Sequence, residues 1–423
     1  MKDISILAFF GIEIDDLEYY SFEDIERDSI SISITRKRVA TSCPCCGVFT
    51  NRVKDYRSKR YLFRNINGYD LKAFYRQRRY YCPVCHKGFM ESNPFTQNRN
   101  YKLSGLKIAI IINRLKLALS IKQVAEDVGV SESSVIKVLN EYYRPPHRSM
   151  PQILCIDEFM SFNSNLISKY SCLLIDFESG NIIDLIQSRQ KVYLDQYFSN
   201  VPKEQREKVH YIIIDMYKPY KDAANKYFPN AIVIIDPFHF VRYVTKAIDS
   251  VRIRVMSAFL EVDEQYKLLK KYRNLLLMKY EPNGYTKRRC RILNDIYLTE
   301  KDVLARMLNY DDELKYAYQI GHSFLSCYSN YCGKEFETFL TKTIGAFATS
   351  NIKEFVDVAY TYQNWFKEIC NSRLTEVSSR AYSNGPIEGR NNKIKMLKRV
   401  SYGMTNFDHL KKRIFLIFDK KNH

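Results

Sequence analysis

Two apolar, β-branched runs, Tyr211-Ile212-Ile213-Ile214 and Ile232-Val233-Ile234-Ile235, each end in an aspartate, Asp215 and Asp236. Neither run alternates polar and apolar positions, so each reads as a strand covered on both faces. The stretch between them, Tyr220 to Phe228, is long enough for a short crossover helix, which makes the whole a parallel βαβ unit. Open α/β sheets gather ligands at the carboxyl edges of their strands, and both acids fall there. Another buried run, Ile153-Leu154-Cys155-Ile156, leads into Asp157 and Glu158. Residues 170–176 and 181–187 add two strands joined by a turn through Phe177-Glu178-Ser179-Gly180, and a helix near 192–198 leads back to the Tyr211 strand. The order β-β-β-α-β-α-β predicts a mixed sheet whose first and fourth strands end in Asp157 and Asp215.

Upstream, Cys43-Pro44-Cys45-Cys46 is answered by Cys82-Pro83-Val84-Cys85. Two such turns put four thiolates, Cys43, Cys46, Cys82 and Cys85, around one structural zinc ion, with Cys45 left over; buried free thiols are the plainer alternative. The chain has 11 cysteines, an odd number with four in tight pairs, which suits metal thiolates in a reducing compartment better than a disulfide framework. Between the pairs lie Arg52, Lys54, Arg57, Lys59, Arg60 and Arg64, then Tyr75-Arg76-Gln77-Arg78-Arg79-Tyr80-Tyr81. Interleaved tyrosines and arginines favour phosphate contact over a merely solvated face. Before the first pair, Ser29 to Thr35 alternates as a strand does.

From Leu103 the pattern turns helical: an apolar helix over 106–119, a second over 120–128, a turn at Gly129, an N-cap at Ser131 and an amphipathic helix over 132–142. This predicts a helix-turn-helix whose last helix offers Glu132, Ser133, Ser134 and Lys137 to a major groove, although small helical bundles share the pattern. Arg144-Pro145-Pro146-His147-Arg148 marks a boundary near 148. After His239, amphipathic helices are expected over 259–279, 300–308, 312–328, 334–343 and 352–369, with Thr299 and Ser350 as N-caps, Trp365 in the core and a basic loop at Lys287-Arg288-Arg289-Cys290-Arg291. The last block runs from Ser383-Asn384-Gly385-Pro386 to Arg399. Pro386 suits the first helical position, which puts Glu388 in the first turn, followed on one face by Asn391 or Asn392, Lys395, and Lys398 or Arg399. An acid followed by a basic stripe suits a helix that holds a metal with one turn and a phosphate backbone with the next.

Lysine and arginine total 66 against 47 acids, a formal charge of +19 that points to a polyanionic partner, most simply nucleic acid. No apolar run reaches the roughly eighteen residues of a membrane span, and the first twenty carry Asp15, Asp16 and Glu18 rather than a basic leader, so a soluble cytoplasmic protein is expected. Asp157, Asp215 and Glu388 come from two strand ends and one helix. Such a cluster suits two Mg²⁺ ions, because hard cations take carboxylate oxygens and neutralise acids that otherwise repel; acids merely capping strands beside lysines are the alternative.

Together these features resemble the ISL3 family of bacterial insertion-sequence transposases, of the DDE type. The matching residues are the knuckles at Cys43 and Cys82, the helix-turn-helix, Ile156-Asp157-Glu158-Phe159, the Asp215 strand end, Asp236-Pro237-Phe238-His239, and SNGPIEGRNNKIKMLKR through Tyr402-Gly403 and Arg413. The resemblance spans nearly the whole chain. It implies a multidomain α+β protein: an N-terminal region, 1–100, with a zinc ribbon at 43–89; a helix-turn-helix at 101–148; a ribonuclease-H-like α/β catalytic domain with a mixed sheet, from 149–240 and 380–423; and an all-α insertion at 241–379. It implies Mg-dependent cleavage of element ends and strand transfer by Asp157, Asp215 and Glu388, with two Mg²⁺ (Mn²⁺ possible) and one Zn²⁺. Asp236 and His239 would support the site, the alternative being a helix-start histidine bonded to Asp236. Double-stranded DNA, both element ends and target, would be contacted by Ser133, Ser134, Lys137, Arg390, Asn391, Asn392, Lys395, Lys398 and Arg399, by a homodimer or larger assembly. Two other readings are a DNA-binding regulator on an inactive ribonuclease-H-like scaffold and a structure-specific nuclease. Retention of three acids disfavours the first, and two separate DNA-reading modules disfavour the second.

Overall fold

Period-two alternation at residues 31–34 and 71–75 marks the inner face of the first sheet of the computed structural model, which describes residue 7 and residues 12–26, 29–66, 69–95, 103–160, 169–374, 385–400 and 406–418. Residues 1–146 with 394–423 form one unit and residues 147–393 a second. In the first, strands β1 (Leu17–Glu26), β2 (Ser29–Arg36), β5 (Val53–Ile66), β6 (Tyr69–Tyr81) and β7 (Gly88–Met90) form a sheet of order β1-β2-β6-β5, with β7 also on β6. The β2–β6 pair is parallel and its neighbours are antiparallel. A small hairpin, β3 (Thr41–Ser42) and β4 (Phe49–Thr50), carries the first cysteine pair.

The basic-aromatic run expected to meet phosphate is in part the inside of this sheet. Leu71, Ala73 and Tyr75 of β6 point inward, whereas Arg76 stays outside over the Tyr56 ring. Arg78 is fully buried: it donates to the Glu18 carboxylate and the Arg36 carbonyl and faces Glu91 at 3.6 Å, while Tyr75 donates to Glu91 at 2.7 Å. A buried guanidinium with acid partners is committed to the fold rather than to a ligand.

Three helices follow: α1 (Gly105–Leu115), α2 (Ile121–Val128) and α3 (Glu132–Tyr142). Ser104, Ser120 and Ser131 cap them by accepting from the N–H groups of Lys107, Gln123 and Ser134. Gly129, at φ +67°, ends α2 in a left-handed conformation that glycine adopts without strain. The first helix stops four residues short of the expected Leu119. Ile111, Leu115, Val124, Val135, Val138 and Leu139 form the core between the three, and Leu416, from the C-terminal helix Phe407–Phe418, completes it.

In the second unit, β8 (Ile153–Met160), β9 (Tyr170–Asp176), β10 (Ile182–Ile186), β11 (Tyr211–Ile214) and β12 (Ile232–Ile235) form a sheet of order β10-β9-β8-β11-β12. The first three are antiparallel neighbours, and β8, β11 and β12 are parallel. Helices α4 (Lys191–Ser199) and α5 (Lys218–Tyr227) provide the connections, and α6 (Pro237–Met256) starts at the end of β12. Helices α7 (Asp312–Cys327), α8 (Gly333–Ala348) and α9 (Lys353–Asn364) build a helical layer with α6. A Cβ on Gly321 of α7 would stand 2.7 Å from Ile248 of α6, so that close approach requires glycine.

The helical region departs from expectation where single helices break. Residues 259–279 form two short helices, Glu264–Lys271 and Arg273–Leu277, and 352–369 divides into α9 and Phe366–Asn371 at Trp365. Trp365 packs half-buried against the core with the Lys221 ammonium 5.0 Å from its ring centroid. Thr299 makes a full capping box with Asp302, but Ser350 caps nothing: α9 begins at Lys353, and the buried Ser350 hydroxyl accepts from Ile352 N–H. The basic loop forms a hairpin of Arg288–Cys290 with Ile296–Leu298. The last block is a helix over Gly385–Val400; Ser383, Asn384, Tyr402 and Gly403 lie outside the described residues. Among the described residues no helix is long and apolar enough to cross a membrane.

Candidate active site and metal centre

The parallel register sets the site. Cys155 of β8 pairs with Ile213 of β11, and Ile214 pairs with Ile235 of β12. Carried one or two residues on, the same register puts Asp157, Asp215 and Asp236 side by side along the carboxyl edge of three adjacent strands. Contrary to expectation, Asp157 does not end its strand: β8 runs on to Met160 because β9 pairs with it past the point where β11 stops. The acid therefore gains a rigid backbone on one side and an open edge on the other.

Asp215 is buried, at 9% exposure, and its Oδ1 accepts the Tyr217 N–H at 3.2 Å. Burial, then the carboxylates of Glu158 and Asp157, push its acid up to about 7, while Arg189 pulls the other way. Asp157 is half-buried and its Oδ1 accepts the Glu158 N–H at 2.7 Å. Glu158 is ion-paired with Arg189. Repelling acids held together at a strand edge are stable when a cation sits among them, which is the condition a hard divalent ion meets. Asp236 is buried and caps α6, its Oδ1 accepting from Phe238 N–H at 3.1 Å; His239 is half-buried in the first turn, its N–H on the Asp236 carbonyl at 3.0 Å. Glu158 and Arg189 are the groups at this edge that sequence reasoning left out of the site. The Asp-Glu dipeptide was the available signal for the first, and nothing in the pattern pointed to the second.

Glu388 lies in the first turn of the Gly385–Val400 helix, as Pro386 suggested. Its side chain, with those of Arg390, Asn391 and Lys398, lies outside the described residues. On the same helix Asn392, Lys395 and Arg399 are exposed while Ile394 and Leu397 are buried, the split expected of one polar and one packed face.

The cysteines meet as their spacing predicts. Cys43, Cys46, Cys82 and Cys85 have all four sulfurs within 4.8 Å of one another, Cys43–Cys85 at 3.5 Å and Cys46–Cys82 at 3.4 Å. Sulfurs about 2.3 Å from one tetrahedral ion stand ~3.8 Å apart, so the cluster fits a metal of zinc's size. Each turn ends in a left-handed residue after its second cysteine, Gly47 at φ +72° and His86 at φ +54°. These turns aim N–H groups at the leading sulfurs: those of Cys85 and Val84 draw the Cys82 thiol down and that of Cys45 lowers Cys43, while burial and the neighbouring sulfurs hold Cys46 and Cys85 up, as expected of four thiols that share protons when no metal is bound. Thiolates are what a metal binds. Cys45 is exposed and stands outside the four.

At the start of α3, Ser133 and Lys137 are exposed and Ser134 is half-buried; Ser131 Oγ lies 3.0 and 2.8 Å from the hydroxyls of Ser133 and Ser134. A cavity of about 850 Å³ opens beside this turn, lined by residues that include Leu62, Leu103, Lys122, Glu132 and Lys137.

A family model described as a transposase, of the DDE ISL3 type, matches residues 154–414. The chain is 32% identical over 123 residues to a protein of Lactococcus lactis subsp. lactis named ATP-dependent protease, covering 29% of this chain and 36% of that one. It is 23% identical over 248 residues to the transposase for insertion sequence element IS1557 of two Mycobacterium tuberculosis strains, covering 56% of this chain and 53% of the relative. The chain thus spans about half or less of the length of these curated relatives. Because the family match runs from the strand carrying Asp157 through the C-terminal helices, the chain belongs to the ISL3 family of DDE transposases.

Proposed function

We propose that this chain binds the ends of an insertion sequence and catalyses divalent-metal-dependent strand cleavage and strand transfer, with Asp157, Asp215 and Glu388 as the metal-binding acids. The observation that carries this is the parallel register of β8 and β11, which brings Asp157 opposite Asp215 at a ligand-binding sheet edge where Asp215 is electrostatically strained. On this reading the sheet is ribonuclease-H-like: three antiparallel strands continue into two parallel ones, and the chain returns with Glu388 after the helical excursion. Bound Mg²⁺ or Mn²⁺ would supply a Lewis acid on the phosphoryl oxygens and a deprotonated nucleophile. Asp157 and Asp215 hold the cations, and Asp236 fixes the start of α6 beside them with His239 in support.

The four cysteines hold one structural zinc, since four thiolates leave no open position. α2 and α3 act as a helix-turn-helix, with Ser133, Ser134 and Lys137 toward DNA, and Arg390, Asn391, Asn392, Lys395, Lys398 and Arg399 follow the phosphate backbone. Synapsis of two ends calls for at least a dimer. Incubating the full chain with a labelled duplex of the element's terminal repeat and Mg²⁺, then mapping nicks and joined products, tests the reading. Nicking and joining at the repeat boundary is expected; binding with no strand scission would leave a regulator instead.

A further inference from the structure

The Glu158–Arg189 pair is built more firmly than a surface ion pair needs. Arg189 follows β10, and its backbone N–H donates to the Tyr170 carbonyl at 3.3 Å. Its guanidinium carbon lies over two aromatic rings, 4.4 Å from the Tyr170 centroid and 4.5 Å from that of Tyr217, so both rings hold it in place. Tyr217 is tied in turn to the site, because its N–H is the one that Asp215 accepts. Both partners of the ion pair are about three-quarters buried, Arg189 at 27% and Glu158 at 24% side-chain exposure.

A guanidinium carries five N–H donors in a planar fork, and the bond to Glu158 uses one terminal nitrogen, Nη1. Contact with two tyrosine rings and a carboxylate removes much of the side chain's freedom, whose loss is a cost of placing an arginine against a ligand. Its location narrows the ligand. The charges that act on Asp215 are the acids Glu158 and Asp157 and, opposing them, Arg189, so a phosphate brought to this edge meets repulsion that the metal ions and this guanidinium offset. A fork is the shape that matches two oxygens of one phosphate.

We propose that Arg189 is a substrate-binding residue of the strand-cleavage reaction: clamped by the Tyr170 and Tyr217 rings and held at one edge by Glu158, it donates to a non-bridging oxygen of the scissile phosphodiester. The proposal rests on the metal-dependent reading above. It differs from the plainer role of neutralising Glu158, which would need neither the clamp nor the fork.

The test uses the full chain with labelled terminal-repeat duplex and Mg²⁺, and compares the parent, R189Q, R189K, E158Q and the double variant E158Q/R189Q for cleavage rate and for duplex affinity by gel shift. The expected result is a loss of about 10²-fold or more in cleavage by R189Q with duplex affinity within about threefold, an intermediate loss by R189K, and no recovery in the double variant. Recovery of the double variant to within about tenfold of the parent would overturn the proposal, since Arg189 would then act only through Glu158; so would near-parental cleavage by R189Q. A parent that binds but never cleaves fails the metal-dependent reading itself, a separate result. If R189Q does not fold, Tyr217→Leu removes one ring of the clamp without changing charge: about tenfold slower cleavage supports the proposal, and a parental rate overturns it.

Discussion

Asn140 of α3 and Lys412 of the C-terminal helix, 272 positions apart in sequence, meet side chain to side chain, with Lys412 Nζ donating to Asn140 Oδ1 at 2.9 Å. The Asn140 amide nitrogen sits 2.9 Å from His409 Nε2, and burial with the Lys412 charge holds that imidazole toward its neutral, accepting form. Arg413, fully buried, donates to the Leu119 carbonyl at 2.6 Å. Leu416, 3% exposed, lies inside the three-helix core. The expected cost of Leu416→Ala is ~2–4 kcal/mol of unfolding free energy. Chemical denaturation monitored by loss of specific duplex binding checks it; an unchanged midpoint would mean that the helix is not part of this core.

Cys82→Ser should abolish stoichiometric zinc and with it the order of residues 41–50 and 82–90. Zinc per chain, read by mass spectrometry of the native protein, is expected to fall from one to none. Acid should also release the metal from the parent, because protons compete with it for the thiolates. A Cys82→Ser protein that keeps its zinc would refute the ligand set.

In metal-free protein, Asp215→Asn is expected to stabilise. The folded carboxyl, pushed up to about 7 from an ordinary 3.8, keeps its proton over a range in which the unfolded chain has lost it. The folded state then binds more protons, so parental stability falls as pH rises through that window and levels above about 7. The melting-temperature advantage of Asp215→Asn should widen between about pH 4 and 7 and stay constant beyond, in the presence of a chelator. A gap independent of pH would show that Asp215 is ionised throughout.

What the sequence made legible follows from how local each signal is. The β11–α–β12 unit, the N-cap at Ser131, the Thr299 cap and the cysteine cluster are each written within a few neighbouring residues, and each has its structural counterpart. Long-range partners are not written that way. Arg78 reads as a phosphate ligand because its acids, Glu18 and Glu91, are distant in sequence, and because it stands out of step with the inward positions Leu71, Ala73 and Tyr75 of β6 yet is buried. Arg189 was overlooked for the same reason, since Glu158, Tyr170 and Tyr217 come from three separate elements. The helix breaks at Tyr272 and Trp365 carry no glycine or proline to announce them.

Glu388→Gln keeps the shape and hydrogen bonding of the side chain but not the charge that a hard cation needs. Cleavage of terminal-repeat duplex is expected to fall about 10³-fold or more, with duplex affinity nearly unchanged. Lys395, exposed on the same helix, should show the opposite split when changed to alanine: weaker DNA engagement and residual chemistry at high protein concentration. Near-parental cleavage by Glu388→Gln would remove it from the metal site.

The packing of helix Phe407–Phe418 onto α1–α3 also sets an order in time. A ribosome makes Asn140 well before it makes Lys412, and at about 5–20 residues per second the wait is on the order of 10–50 s. During synthesis the three-helix core lacks Leu416 and the contacts of Arg413. It is completed only once residues 407–418 have been made, so a chain whose synthesis stops before them has all three helices yet lacks the piece that closes their core.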